Sequence, residues 1–287
     1  IATSIAPNDR LNVQRKSVES WQNAGMKVIS LNTQEEIKKL APNFDKVEFI
    51  PQIRTGNSLF GKPYIFISEI LNYLKTTPYT ICGIINSDIN LIENSKLSNF
   101  LIEQAQDCLV YGPRFQVDSF KSSKGSIDPL GFDYFIFDQH LITDWKETHF
   151  CLGLPSWDHW FPLVSILTGR RIKKLISPIA RHIPHDTPAD RDVIAFNNEF
   201  ISQIIKYFAL NERNLSKLIS PHSAILFNKF EFVKRYQTLI INIQNNEQAS
   251  AKTKFNHYEK LALFFDEFTR HSIHFLDKNS EIIKFEI

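Results

Sequence analysis

The chain has 287 residues, 43% hydrophobic and 22% charged, the balance of a soluble globular protein with one large domain, or one domain and an appendage. A formal net charge of +2 excludes the strong basic field of a nucleic-acid or anionic-membrane binder, so no nucleic-acid partner is expected. Only 9 Gly against 24 Phe, with neither a P-loop nor a GxGxxG pattern, excludes a Gly-rich phosphate loop.

In chain order, Ile1 to Ile5 reads as a short β segment, followed by Pro7-Asn8-Asp9. A helix pattern runs from Asn12 to Ala24, with Gly25 as its stop. Met26 to Leu31 is a second strand ending at Asn32, and Thr33 with Glu36 three later forms a capping box that opens a helix through Leu40. Val47 to Ile50 is a third strand, Pro63 to Leu74 a helix, and Tyr79 to Ile85 an apolar, buried strand. This βαβαβαβ order predicts an α/β fold, a largely parallel sheet with helices on both faces. Further on, Leu97 to Ala105 is helical and Cys108 to Tyr111 a strand. Ser119 to Asp128 is a polar loop and Asp133 to Phe137 a strand. Ser156 caps a helix to about Thr168, and Ile172 to Ile176 is a strand. His182 to Asp190 is polar. From about Asn197 the apolar residues fall at helix spacing, with Phe200, Ile204 and Phe208 and later Leu261, Phe264, Phe265 and Phe268, and a polar linker at Asn245 to Lys254. The expected division is residues 1–205 as the α/β domain and 206–287 as a helical C-terminal appendage.

Cys82, Cys108 and Cys151 are scattered and odd in number, so neither a disulfide framework nor a metal-type Cys spacing is present. No apolar run approaches the roughly 18–20 residues of a membrane span. Nothing at Ile1 reads as a signal peptide, and the absence of Met there leaves room for upstream residues. The expected location is cytoplasmic, near a membrane through partners.

Four groups carry possible chemistry. In Ile84-Ile85-Asn86-Ser87-Asp88-Ile89-Asn90-Leu91 an apolar strand ends in oxygen-bearing side chains at period two. Open α/β folds bind ligands at such strand ends, and Mg²⁺ and Mn²⁺ prefer oxygen ligands shared with phosphates. A simple strand exit would use the same residue types. In Leu130-Gly131-Phe132-Asp133, Gly131 permits close backbone approach. In Ser156-Trp157-Asp158-His159-Trp160, Asp158 falls in the first helical turn, where the dipole favours a carboxylate, and flanking indoles suit a sugar or a base. In Arg181-His182-Ile183-Pro184-His185-Asp186, two histidines three apart resemble metal or phosphate ligands, and Pro184 argues against the helical zinc geometry.

The order of these groups, strand-end cluster, glycine loop, helix-start acid and late histidine, resembles that of GT-A fold glycosyltransferases, over about Ile1 to Asp186, and in particular bacterial enzymes that make surface glycans. The resemblance implies a mixed, mostly parallel Rossmann-like sheet and an enzyme that moves a sugar from a nucleotide-diphosphate sugar to a hydroxyl of a glycan or lipid-linked acceptor. It implies that Asn86-Ser87-Asp88 occupies the DxD position and that Asp88 and His185 (less so His182) bind a divalent cation, Mn²⁺ or Mg²⁺. It further implies that Gly131 and Asp133 lie beside the donor sugar, that Asp158 is the base of an inverting transfer, and that Trp157 and Trp160 face the acceptor. Thr3, Ser4 and Ile5 would end the first strand at the nucleotide, and Asn32 would hold base or ribose. The family pattern has two acids, whereas here Asp88 is the one carboxylate and its partners are Asn86 and Asn90, which implies weaker metal binding. Arg54, Lys62 and Arg114 are basic residues that could neutralise diphosphate instead. A nucleotidyltransferase on a related fold is the rival reading, but Ala6-Pro7-Asn8-Asp9-Arg10 is a poor match to its Gly-rich basic loop. A non-catalytic glycan- or nucleotide-binding protein of this fold is another. The appendage would bind acceptor, form a homo-oligomer interface or dock to a fused partner domain.

Overall fold

The computed structural model describes residues 1–185, 199–203, 206–207, 229–245 and 250–287. The expected positions Asp186 to Asp190, Asn197, Ile204 and Phe208 lie outside the described residues.

Alternating strands and helices build the N-terminal half: β1 (Ala2–Thr3), α1 (Leu11–Asn23), β2 (Val28–Asn32), α2 (Gln34–Leu40), β3 (Val47–Pro51), α3 (Asn57–Phe60), α4 (Ile67–Lys75) and β4 (Ile81–Ile85). The Thr33–Glu36 capping box starts α2 as its sequence predicts. The helix expected from Pro63 starts only at Ile67, because Phe66 is held extended by a bridge to Cys151. The chain continues through β5 (Asn90–Leu91), α5 (Leu97–Gln104), β6 (Cys108–Gln116), β7 (Ser126–Asp138), α6 (Trp157–Leu167), β8 (Arg171–Leu175) and β9 (Ala180–His182). It ends in α7 (Lys229–Gln244), α8 (Ala251–Asn279) and β10 (Glu281–Ile283).

The strands form one mixed, mostly parallel sheet in the order β10-β8-β6-β7-β4-β1-β2-β3, with β7 antiparallel to both β4 and β6. This is the α/β fold with a mixed, mostly parallel sheet that the element order predicts. Period-two alternation sends each strand's residues to two different cores. Cys82 and Ile84 of β4, with Phe135 and Phe137 of β7, pack against α4 and α6. Ile85, with Tyr134 and Ile136, packs on the other face against Val18 and Trp21 of α1 and Leu97 and Leu101 of α5. Helices therefore cover both faces.

Two expectations are corrected. The segment expected as a loop to Asp128 is already strand from Ser126, since the β6–β7 hairpin stays paired beyond its bulge to Gln116↔Ser126. Residues 206–287 are not wholly helical. Their last strand, β10, pairs in parallel with β8, and the Phe285 ring packs into the core beside α5. Lys174 of β8 and Asp277 of α8 pair at 2.5 Å, which also ties this end of the chain to the sheet. Among the described residues no helix is long and apolar enough to cross a membrane.

Candidate functional site

The sheet grows outward from β1 in opposite directions, to β2 and β3 on one side and to β4 on the other. Where the two directions part, at the carboxyl ends of β1 and β4, is the switch point at which open α/β sheets form the crevice that takes ligands. The turn Asn86-Ser87-Asp88 leaves β4 at that point, and the loop Ala6 to Arg10 leaves β1 beside it. Gln14 of α1 ties them together. Its Oε1 accepts the Ala6 N–H (2.8 Å) and the Ser87 hydroxyl (2.7 Å), and its Nε2 donates to Ala6 O (2.8 Å) and Asn8 Oδ1 (3.0 Å). Both lone pairs and both N–H groups of this buried amide are thereby used.

Asp88 is the focus of the crevice. Its Oδ2 lies 3.4 Å from His182 Nε2, 3.3 Å from His185 Nε2 and 3.1 Å from Arg10 Nη1. Burial would raise its pKa, but the two histidines and Arg10 outweigh that and hold the carboxyl well below the usual carboxylate range. The orientation of His182 is fixed from behind. Gln116 donates its Nε2–H to Asp128 Oδ2 (3.1 Å), which leaves Gln116 Oε1 as the acceptor facing His182 Nδ1 at 2.8 Å. His182 Nδ1 therefore carries the hydrogen, and in the neutral ring Nε2 turns a lone pair toward the Asp88 carboxylate. Two electron-rich atoms facing each other call for a proton or a cation between them. Close by, Asn86 Oδ1 is buried with no hydrogen-bond partner among the described residues. A carboxylate, two imidazoles with ligand atoms within 4.8 Å of one another, and an orphaned amide oxygen fit a divalent cation, and the Gln116 contact is the kind that orients a histidine ligand.

A second acidic group adjoins the first. Asp133 of β7 is 6% exposed. It accepts from Asn86 Nδ2 (2.5 Å) and from Arg114 Nη1 (3.0 Å). Burial pushes its pKa up to about 6, with Arg114 pulling it back and the charges of Asp158 and Asp88 adding to the rise. Arg114 lies over Gly131, where a Cβ would come within 2.6 Å of its Nε. Asp158 sits in the first turn of α6, after Ser156 at φ 78, with Oδ2 3.5 Å from the Phe132 N–H nitrogen and 3.6 Å from His159 Nε2. His159 Nε2 also lies 2.7 Å from the Leu130 carbonyl oxygen, which holds the helix start against β7. Asp158 remains one-fifth exposed, so its carboxylate is open to a ligand.

The structure thus brings Asn86, Ser87, Asp88, Asp133, Asp158, His182 and His185 into one region. Several expected contacts are corrected. Trp157 and Trp160 are 1% and 0% exposed and pack with Phe135 and Phe150 in the core, so neither offers a face to an acceptor. Asn32 is fully buried, and its amide donates to Ile5 O and Glu36 Oε2 while accepting from Ser30. Ile5 is buried too, its backbone bonded to Ser30 and Asn32, and Thr3 is 0% exposed. These three shape the ends of β1 and β2, and Ser4, half-buried between them, is the residue of that strand end with exposed surface. Gly131 makes room for Arg114 rather than for a sugar. Arg114 pairs with Asp128 and Asp133, and Arg54 with Glu69 and Glu147. Lys62 is exposed after α3, 5.7 Å from the Tyr64 ring centroid. Sequence reasoning missed Arg10, Gln14 and Gln116. A lone arginine in the first βα turn was the available signal for Arg10, whereas nothing local marks the two glutamines.

No family model and no curated protein matches the chain. Among solved structures it is similar to the mannosyltransferase PcManGT from Pyrobaculum calidifontis, solved with GDP-Man and Mn²⁺, at 11% identity and TM-score 0.46 over 97% of this chain and 85% of that one. It is also similar to HddC from Yersinia pseudotuberculosis, at 13% identity and TM-score 0.38 over 62% of this chain and 89% of that one. A second HddC structure, complexed with GMP-PN, matches at 14% identity and TM-score 0.38 over 66% and 84%.

Proposed function

We propose that the protein is a glycosyltransferase that moves a hexose-type sugar from a nucleotide-diphosphate sugar to a hydroxyl of a glycan or lipid-linked acceptor, with inversion. The observation that carries this reading is the convergence of Asp88, His182 and His185 at the switch point of the sheet, with the open carboxylate of Asp158 in the same region. A divalent cation, Mn²⁺ or Mg²⁺, held by Asp88, His182 and His185 would neutralise charge on the departing nucleoside diphosphate.

The chain's own residues supply the rest. Ser4 and the loop to Arg10, tied down by Gln14, form the nucleotide side of the crevice. Asn86 bonded to Asp133, and Asp133 held in turn by Arg114, give the donor sugar a fixed polar wall. Asp158 accepts the proton of the acceptor hydroxyl as its oxygen bonds to the anomeric carbon and the bond to the phosphate oxygen breaks. In Asp158→Asn, assayed by transfer and donor hydrolysis, turnover falls about 10²–10⁴-fold while nucleoside diphosphate affinity stays within about threefold. Transfer at the wild-type rate by that variant would overturn the base assignment.

A further inference from the structure

Arg10 places its guanidinium on the same carboxylate oxygen, Asp88 Oδ2, that faces both histidine Nε2 atoms. A bound divalent cation and Arg10 Nη1 would then be two positive charges competing for one oxygen. The other amino group, Nη2, donates to the Ile183 carbonyl at 2.8 Å, between the two histidines. Leaving Asp88 is therefore a short swing about an anchored fork, not a release into solvent. Arg10 is about one-fifth exposed, so the fork reaches the open crevice. It also stands as N-cap of α1, whose first turn carries no acidic residue, so the end of the helix adds to an anion-attracting field. Among the described residues, the acid paired with Arg10 is Asp88 alone, whereas Arg114 and Arg54 each hold two carboxylates away from Asp88.

We infer that Arg10 is an exchanging counter-cation, which neutralises Asp88 in the nucleotide-free protein and turns to the diphosphate when cation and nucleotide enter together. This rests on the nucleotide-sugar reading of the crevice. It gives a site with one acid a built-in coupling between its two ligands. The cation is disfavoured until an anion draws Arg10 away, and each ligand then raises the affinity of the other by the same factor.

The test is calorimetric titration of the full chain with Mn²⁺ alone, nucleoside diphosphate alone and both, in wild type, Arg10→Gln and Arg10→Lys, with folding checked by circular dichroism. Removing the charge in Arg10→Gln strengthens binding of Mn²⁺ alone by about fivefold. It weakens binding of the diphosphate alone by about tenfold, and the coupling factor falls toward one. Arg10→Lys keeps a cation and stays within about threefold of wild type in the Mn²⁺ arm. If Arg10→Gln weakens Mn²⁺ as well, or leaves diphosphate affinity unchanged, Arg10 is a structural tie and the inference is overturned. If wild type binds neither Mn²⁺ nor any nucleoside diphosphate, the reading of the crevice itself has failed.

Discussion

Two clusters on opposite edges of the sheet bring together three residues of metal-ligating type. Asp88, His182 and His185 meet at the carboxyl end of β4, and Asp107, Asp138 and His140 at its other end, where Asp138 pairs in register with Ile81. In the second cluster local turn chemistry accounts for the contacts. Asp138 accepts the His140 N–H (3.3 Å) and the Asp107 N–H (3.1 Å), and the His140 ring folds back on its neighbour at 2.8 Å. Asp107 is fully at the surface, at 78% exposure. In the first cluster the partners come from the N-cap of α1, the turn after β4, β9 and the segment after β9, and a further layer, Asp128 to Gln116 to His182, fixes one ring. Residue type alone does not separate the two. What does is convergence from distant parts of the chain and an outer layer with no local reason to exist.

The sharpest way to break this contrast is to remove one carboxylate from each cluster. Asp88→Ala should lower nucleoside diphosphate affinity in the presence of Mn²⁺ by at least about 100-fold, whereas Asp138→Ala should leave it within about twofold. Equal losses, read by calorimetry, would erase the distinction. Next in size is a pH effect at Asp133. Its folded pKa of about 6 lies above the unfolded value of about 3.9, so the unfolded chain releases this proton first. Below about pH 4 the group makes no difference. As pH rises to about 6 and beyond, it takes away about 3 kcal/mol of stability. Denaturant unfolding at pH 4.5 and pH 7 should show wild type losing about 2 kcal/mol of stability relative to Asp133→Asn, since part of the loss is already present at pH 4.5, and a constant difference would contradict the assignment. Gln116→Leu frees the His182 ring and should weaken Mn²⁺ binding about tenfold, with His140→Gln leaving it unchanged. The smallest effect is on the turn itself, where Asp138→Ala should cost about 1 kcal/mol of unfolding free energy through its lost N–H acceptor.

Much of this was legible locally. The run Tyr79 to Ile85 reads as a buried strand, and the polarity change after it marks a sheet edge whatever the tertiary fold. Asp158 reads as a helix-start acid from its neighbours alone. The indoles beside it failed because composition does not say which face of α6 is buried, and a helix with 0–3% exposure along Trp160, Phe161, Leu163, Val164 and Ile166 has almost no outer face. Asn32 failed for a related reason. A polar residue at a strand end has the same appearance whether it meets a ligand or satisfies buried backbone, and here Ile5 O and Ser30 use it up. The pairing of Arg10 with Asp88 spans 78 residues, and that of His182 with Gln116 spans 66. Contacts of that length follow from topology, which a motif does not contain.

We propose that the Asp88 crevice binds a nucleoside diphosphate together with a divalent cation, and titration of wild type with UDP, GDP and CDP, with and without Mn²⁺, decides it. We expect saturable binding of at least one of the three, strengthened at least about 100-fold by Mn²⁺, a gain that is lost in Asp88→Ala. Failure of all three to bind under either condition, or binding by Asp88→Ala equal to wild type, would contradict it.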